Sequence, residues 1–216
     1  MFQLPKPYLL LSSICICLLF VSCRISKFKH PTTCNRVVIT EKSFLAVLND
    51  NKASKFKASI DVLKNHLTGI IIVKKTDSLT THIIFVTEIG MKMFDFEWKK
   101  NNMNAVYVFE PLNKEALINS LKTGFKQMLL LDVFNKHAAL SSNKNFKSYY
   151  EIEDEKHRYL IADTTNGISS QQIFIKNKKN RFISYTFDHE KKVYTQIKST
   201  QFGLVKIKIE LNKIEE

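Results

Sequence analysis

The chain has 216 residues and a formal charge of +13, with 44% hydrophobic residues and 16 Phe. That much apolar material supports a real core and excludes a disordered chain, and only 5 Gly and 4 Pro exclude a flexible linker protein. The cations are nearly all Lys, with Arg only at Arg24, Arg36, Arg158 and Arg181. Base readout in nucleic acid favours Arg forks, so no nucleic-acid partner is expected.

The amino-terminal segment reads as an export signal. Lys6 precedes an uncharged stretch from Pro7 to Cys23 whose apolar heart runs from Tyr8 to Val21. That run is short for a bilayer span, which takes about 20 apolar residues, and suits the h-region of a secretory signal. Phe20-Val21-Ser22-Cys23 resembles a bacterial lipobox, with Phe in place of the commoner Leu. The expected division is a signal peptide over 1–22, a lipidated tether and lead-in over 23–50 that starts at Cys23, and one domain over 51–216. Cys15 and Cys17 would leave with the signal, and Cys34 would remain as an unpaired thiol. Ser43–Asn49 has the makings of a short helix.

From Ser54 the pattern changes to period two. Phe56, Ala58, Ile60 and Val62 alternate with Lys55, Lys57, Ser59 and Asp61, as in a strand buried on one face. Further strands are expected over 67–75, 81–88, 91–98 and 105–110. In the fourth, Phe94, Phe96 and Trp98 share a face. A helix capped by Asn113 is then expected over about 113–134, with Leu117, Ile118, Leu121, Phe125, Met128 and Leu129 on one side. Six more strands follow, over 148–153, 158–162, 171–176, 182–187, 193–200 and 204–212. Short consecutive antiparallel strands favour a meander curled toward a barrel. The expected fold is mainly β: an unclosed antiparallel β-barrel of about 11 strands with the 113–134 helix packed on its concave side.

That order resembles the outer-membrane lipoprotein carrier and receptor family (LolA/LolB-like). Phe56–Ile60 with Leu67–Ile71 looks like its opening hairpin, and Thr87-Glu88-Ile89-Gly90-Met91 like the loop after its third strand. The resemblance implies an exposed apolar residue at Ile89 as a membrane-contact loop. Glu88 stands there where a Pro would be expected. It also implies acyl-chain binding on the concave side, lined by Phe56, Ile60, Phe94, Phe96, Trp98, Leu117, Leu121 and Phe125. The expected partners are a lipid or acylated lipoprotein and a membrane reached through Cys23, with the protein monomeric, outside the cytoplasm and at the outer membrane. An interior simply filled by the same side chains, in a non-catalytic interaction lipoprotein, is equally compatible with the residues.

No enzyme signature is present. There is no G-x-S-x-G, no phosphate-binding glycine loop, no H-E-x-x-H and no paired-Cys metal spacing. No cofactor or metal is therefore expected. The acidic run Glu151–Glu155 beside His157 reads as a solvated loop. Asp95 and Glu97, two apart, read as cross-strand ion partners.

Overall fold

The computed structural model describes residues 35–40, 47–48, 53–62, 65–77, 80–133, 136–142, 146–153, 156–163, 165–176 and 178–214. The export signal, Cys23, Cys34 and most of the Ser43–Asn49 segment lie outside the described residues. All described residues fall in one compact unit, Thr33–Glu216.

A single antiparallel sheet dominates. Its strands are β1 (Asn35–Ile39), β2 (Ser54–Val62), β3 (Asn65–Lys75), β4 (Thr80–Thr87), β5 (Lys92–Lys99) and β6 (Asn102–Val108). After a helix come β7 (Lys136–Ser142), β8 (Phe146–Glu153), β9 (Lys156–Asp163), β10 (Ile168–Ile175), β11 (Lys178–Asp188), β12 (Val193–Gln201) and β13 (Ile207–Lys213). In space they run β1-β7-β8-β9-β10-β11-β12-β13-β2-β3-β4-β5-β6. Two meanders are thus welded where β13 pairs with β2, Leu211 opposite Ala58 and Ile209 opposite Ile60. The outermost strands are β1 and β6, so the sheet is unclosed.

Among the described residues thirteen strands stand where eleven were expected. The two extra ones are β1 and β7, which pair with each other from Asn35↔Leu140 to Ile39↔Lys136. Neither carries a clear alternation, so the pairing comes from tertiary contact rather than local pattern. Residues assigned from sequence to the lead-in therefore contribute an edge strand.

Alternation decides which face is buried. In β2, Phe56, Ala58, Ile60 and Val62 are buried while Lys55, Lys57 and Asp61 are exposed. In β13, Ile207, Ile209 and Leu211 point into the same core. Gly69 in β3 marks a close approach. A Cβ there would lie 2.1 Å from the carbonyl oxygen of Val86, so only glycine fits.

The helix α1 spans Glu115–Met128, shorter at both ends than expected. At its start, a 3-10 turn over Glu110–Leu112 carries the chain off β6, and the N-cap is Lys114, with no side-chain cap, instead of Asn113. At its end, Leu130 takes a left-handed φ of 57°. The Leu131 amide bonds back to Lys126 O (3.0 Å) and the Leu130 amide to Gln127 O (3.2 Å), which is the Schellman stop. A left-handed Leu costs about 1–2 kcal/mol, and its side chain, buried with Leu129, offsets that cost. Residues 129–131, expected to continue the helix, lie beyond its end. They form a turn in which Leu129 and Leu130 are buried.

Candidate functional site

The inward face of α1 presents Leu117, Leu121, Phe125 and Met128, all buried, against the sheet. Phe125 is wedged among aromatic rings. Its centroid is 5.5 Å from that of Phe94 and 6.4 Å from that of Phe96. Phe94 stacks on Phe96 at 4.5 Å and tilts against Phe85 at 5.4 Å. Of the eight residues expected to line an acyl site, Phe56, Ile60, Phe94, Phe96, Leu117, Leu121 and Phe125 are buried in this one core. Trp98 is half-buried at its margin, where Lys126 Nζ lies 5.9 Å from the ring centroid.

Around this apolar layer, polar groups tie α1 and the turn that follows it to the sheet at three stations. The first is on β11 and β12. Arg181, 1% exposed, donates through Nη2 to Ser120 O (3.2 Å) and to Gln201 Oε1. Gln201 donates in turn to Ser120 Oγ and to Val205 O. Gly124 makes room for the guanidinium, since a Cβ there would sit 2.2 Å from Arg181 Nη1.

The second station caps the helix. The last carbonyls of a helix have no intrahelical partner. Here Gln171 Nε2 donates to Gln127 O (3.1 Å), and the Tyr185 hydroxyl donates to Met128 O (3.2 Å). Burial pushes the Tyr185 hydroxyl far above its ordinary pKa, so it is a donor at any physiological pH.

The third is ionic. Arg158, 1% exposed, donates through Nη2 to Asp132 Oδ2 at 2.7 Å, and its Nη1 lies 3.5 Å from Glu151 Oε2. Lys136 Nζ meets Glu151 Oε1 at 3.1 Å, and Lys126 and Lys156 both stand 3.8 Å from Asp132 Oδ2. Burial alone would raise the Asp132 pKa. The Arg158 charge and hydrogen bond, with Lys156 and Lys126, outweigh it and hold the carboxyl below its usual range. Glu151, expected in a solvated loop, is thus a buried ion partner on β8.

Sequence reasoning missed these arginines, although a signal was available. Arg158 has the same strand parity as Leu160 and Ala162, and Arg181 the same as Ile183 and Tyr185, all of them buried. The two differ electrostatically. Arg158 has carboxylate partners. Arg181 has carbonyl acceptors only, while the Nε and Nη1 of both arginines find no hydrogen-bond partner among the described residues. Burial lowers its pKa to about 10, so it is still a cation at neutral pH. A buried cation without a counter-ion opposes folding. Arg181→Met should therefore raise the thermal midpoint. A fall of several degrees would show that the Ser120 and Gln201 bonds outweigh desolvation.

Elsewhere, His82 Nδ1 lies 2.9 Å from Asp95 Oδ1, and its Nε2 lies 3.7 Å from Glu97 Oε1. The carboxylate pair is therefore partnered across the β4–β5 ladder by His82. Ile89 sits at the β4–β5 tip beside Gly90 (φ 85°) and is 87% exposed. Leu204, expected to start the last strand, occupies the β12–β13 tip beside Gly203 (φ 121°) and is fully exposed. Among the described residues no group of His, Cys, Asp and Glu is arranged to hold a metal ion.

No protein-family model and no curated protein sequence matches the chain. Among solved structures, it is similar to a LolA superfamily protein from Nitrosomonas europaea. The TM-score is 0.51 at 10% identity, covering 82% of this chain and 92% of the other. At that identity the likeness concerns the fold: an unclosed antiparallel sheet with a helix on its concave side, of the LolA type.

Proposed function

We propose that the chain is an envelope lipoprotein of the outer membrane, cleaved before Cys23 and lipidated there, whose half-barrel takes up acyl chains of lipids or other lipoproteins. The observation that carries this reading is the lid-like arrangement of α1. An amphipathic helix covers an apolar concave face and is fastened by hydrogen bonds to β10–β12, and the turn after it by an ion pair to β9. The rings of Phe94, Phe96 and Phe125 touch in this state, so an acyl chain enters only when α1 lifts. Each CH₂ transferred from water then contributes about 0.8 kcal/mol, enough for a long chain to compensate the lost helix contacts. No catalytic group is needed.

The test is titration of the full chain carrying Cys23→Ala with a dansylated fatty acid. Saturable binding that palmitate displaces, with a change in the emission of the sole tryptophan, Trp98, is expected. Absence of saturable binding would sink the reading. The filled aromatic core favours a second reading, an interaction lipoprotein with no lipid cargo. That protein would give no titration and would instead copurify with an envelope complex.

Ile89 and Leu204 are the proposed membrane-contact points, each at a hairpin tip. Moving such a side chain out of water is worth about 1.5–3 kcal/mol. Ile89→Asp with Leu204→Asp should lower association of the unlipidated chain with phosphatidylglycerol vesicles by at least about tenfold. Unchanged partitioning in a flotation assay would remove the tips from the mechanism.

A further inference from the structure

Two neighbouring hairpins share one surface. β10 ends at Ile175 and β11 begins at Lys178, while residues 202–206 lead from β12 into β13. Pairing of β11 with β12 sets the two turns side by side. Arg181 stands opposite Gln201, and the Phe202 amide donates to Asn180 O at 2.8 Å. Three large apolar side chains are exposed there: Ile175, Phe202 and Leu204, the last completely. Lys178, Lys179 and Lys206 are exposed among them. Neither 174–182 nor 201–207 contains an Asp or Glu.

Exposed apolar residues gathered on one rim mark an interaction surface, and the charges beside them select the partner. Lys179 Nζ lies 4.8 Å from the ring centroid of Phe182 and 5.5 Å from that of Phe202, a contact that leaves its charge in place. The β4–β5 tip is built differently, since Ile89 there follows Glu88. The paired hairpins thus combine a protruding aliphatic side chain with cations alone. That is the composition of an interfacial anchor, in which apolar side chains enter the headgroup boundary and anionic lipids attract the lysines. Lysine stems can stay in the interface while their ammonium groups reach the lipid phosphates.

We propose that the β10–β11 and β12–β13 hairpins together dock the domain on an anionic bilayer, with Leu204 between the headgroups and Lys178, Lys179 and Lys206 on the lipid phosphates. The inference rests on the reading of Leu204 as a membrane contact. It goes further in assigning the lipid class and the pair of hairpins that meets it. Each lysine near an anionic surface contributes roughly fivefold in partitioning.

The test places a reporter at the tip. Leu204→Trp is made in the full chain carrying Cys23→Ala and Trp98→Phe, so that tryptophan emission comes from position 204 alone. Vesicles with brominated acyl chains are added, either pure phosphatidylcholine or an equal mixture with phosphatidylglycerol. Quenching should saturate on the anionic vesicles at a lipid concentration at least about tenfold lower, and salt should shrink that preference. Lys178→Gln with Lys179→Gln and Lys206→Gln should remove most of it, and the same three changed to Arg should keep it. Lys57→Gln with Lys100→Gln and Lys192→Gln, exposed elsewhere and equal in charge change, should leave it unaltered. Equal quenching on both vesicles, or a preference that survives the three Gln changes, overturns the proposal and leaves Leu204 as a membrane contact. Absence of quenching on either vesicle overturns that contact and this proposal with it, while acyl uptake by the concave face is decided separately by the dansylated fatty acid.

Discussion

Arg158→Met lowers the unfolding free energy by about 3–5 kcal/mol, the cost of breaking a buried ion pair from one side. Asp132 and Glu151, 9% and 4% exposed in their side chains, keep their charges but lose the guanidinium between them. Urea unfolding should show the loss as a lower midpoint at unchanged slope. Replacing all three groups, Arg158→Met with Asp132→Leu and Glu151→Leu, should recover most of it, because an apolar cluster has no charge to desolvate. A single variant within about 0.5 kcal/mol of the parent would mean that Lys126, Lys136 and Lys156 suffice to hold the carboxylates. The same network sets an acid limb. Asp132 is depressed below the ordinary value of about 3.9, so its contribution is complete above that pH and is lost as pH falls through the lower folded value. Asp132→Asn should therefore flatten the decline of stability below about pH 4.

Phe125→Ala should cost about 3–5 kcal/mol, in the range for removing a buried aromatic ring. The ring is fully buried and touches Phe94 and Phe96, so its loss opens space at the centre of the α1–sheet contact. Phe125→Leu keeps much of the volume and should cost less than half as much. On the lid reading the Ala variant has a second signature. Loosened helix packing lowers the cost of lifting α1, so the dansylated fatty acid should bind faster even as the protein unfolds more easily. Slower or unchanged association at lower stability would separate the helix from cargo entry.

Period two made the sheet legible. Strands such as β2 and β13 alternate cleanly because one face is core and the other water, and their inward sets are those read from sequence. β1 and β7 were not legible. Val37, Val38 and Ile39 form a run without alternation, and their partner lies about 100 residues away (Ile39↔Lys136). The helix end was hidden for a different reason. A left-handed stop normally announces itself through Gly, and here Leu130 does the work with burial as compensation. Phe56, Ile60, Phe94, Phe96, Leu117, Leu121 and Phe125 share one core because strand parity and helical spacing turn them inward. The ionic station was not legible, because Asp132, Glu151 and Arg158 lie on a turn and two strands, and their proximity exists only in the folded sheet.

The edge strand β1 also sets a length. On the proposal that Cys23 carries the lipid, the covalent path from anchor to sheet ends at Asn35, where pairing with Leu140 begins. About a dozen residues at roughly 3.3–3.6 Å each reach no further than about 40 Å. On that proposal the protein acts beside one membrane, within that contour length. It could collect what arrives within that radius and set it down there, while transport across a wider gap would fall to an unanchored partner.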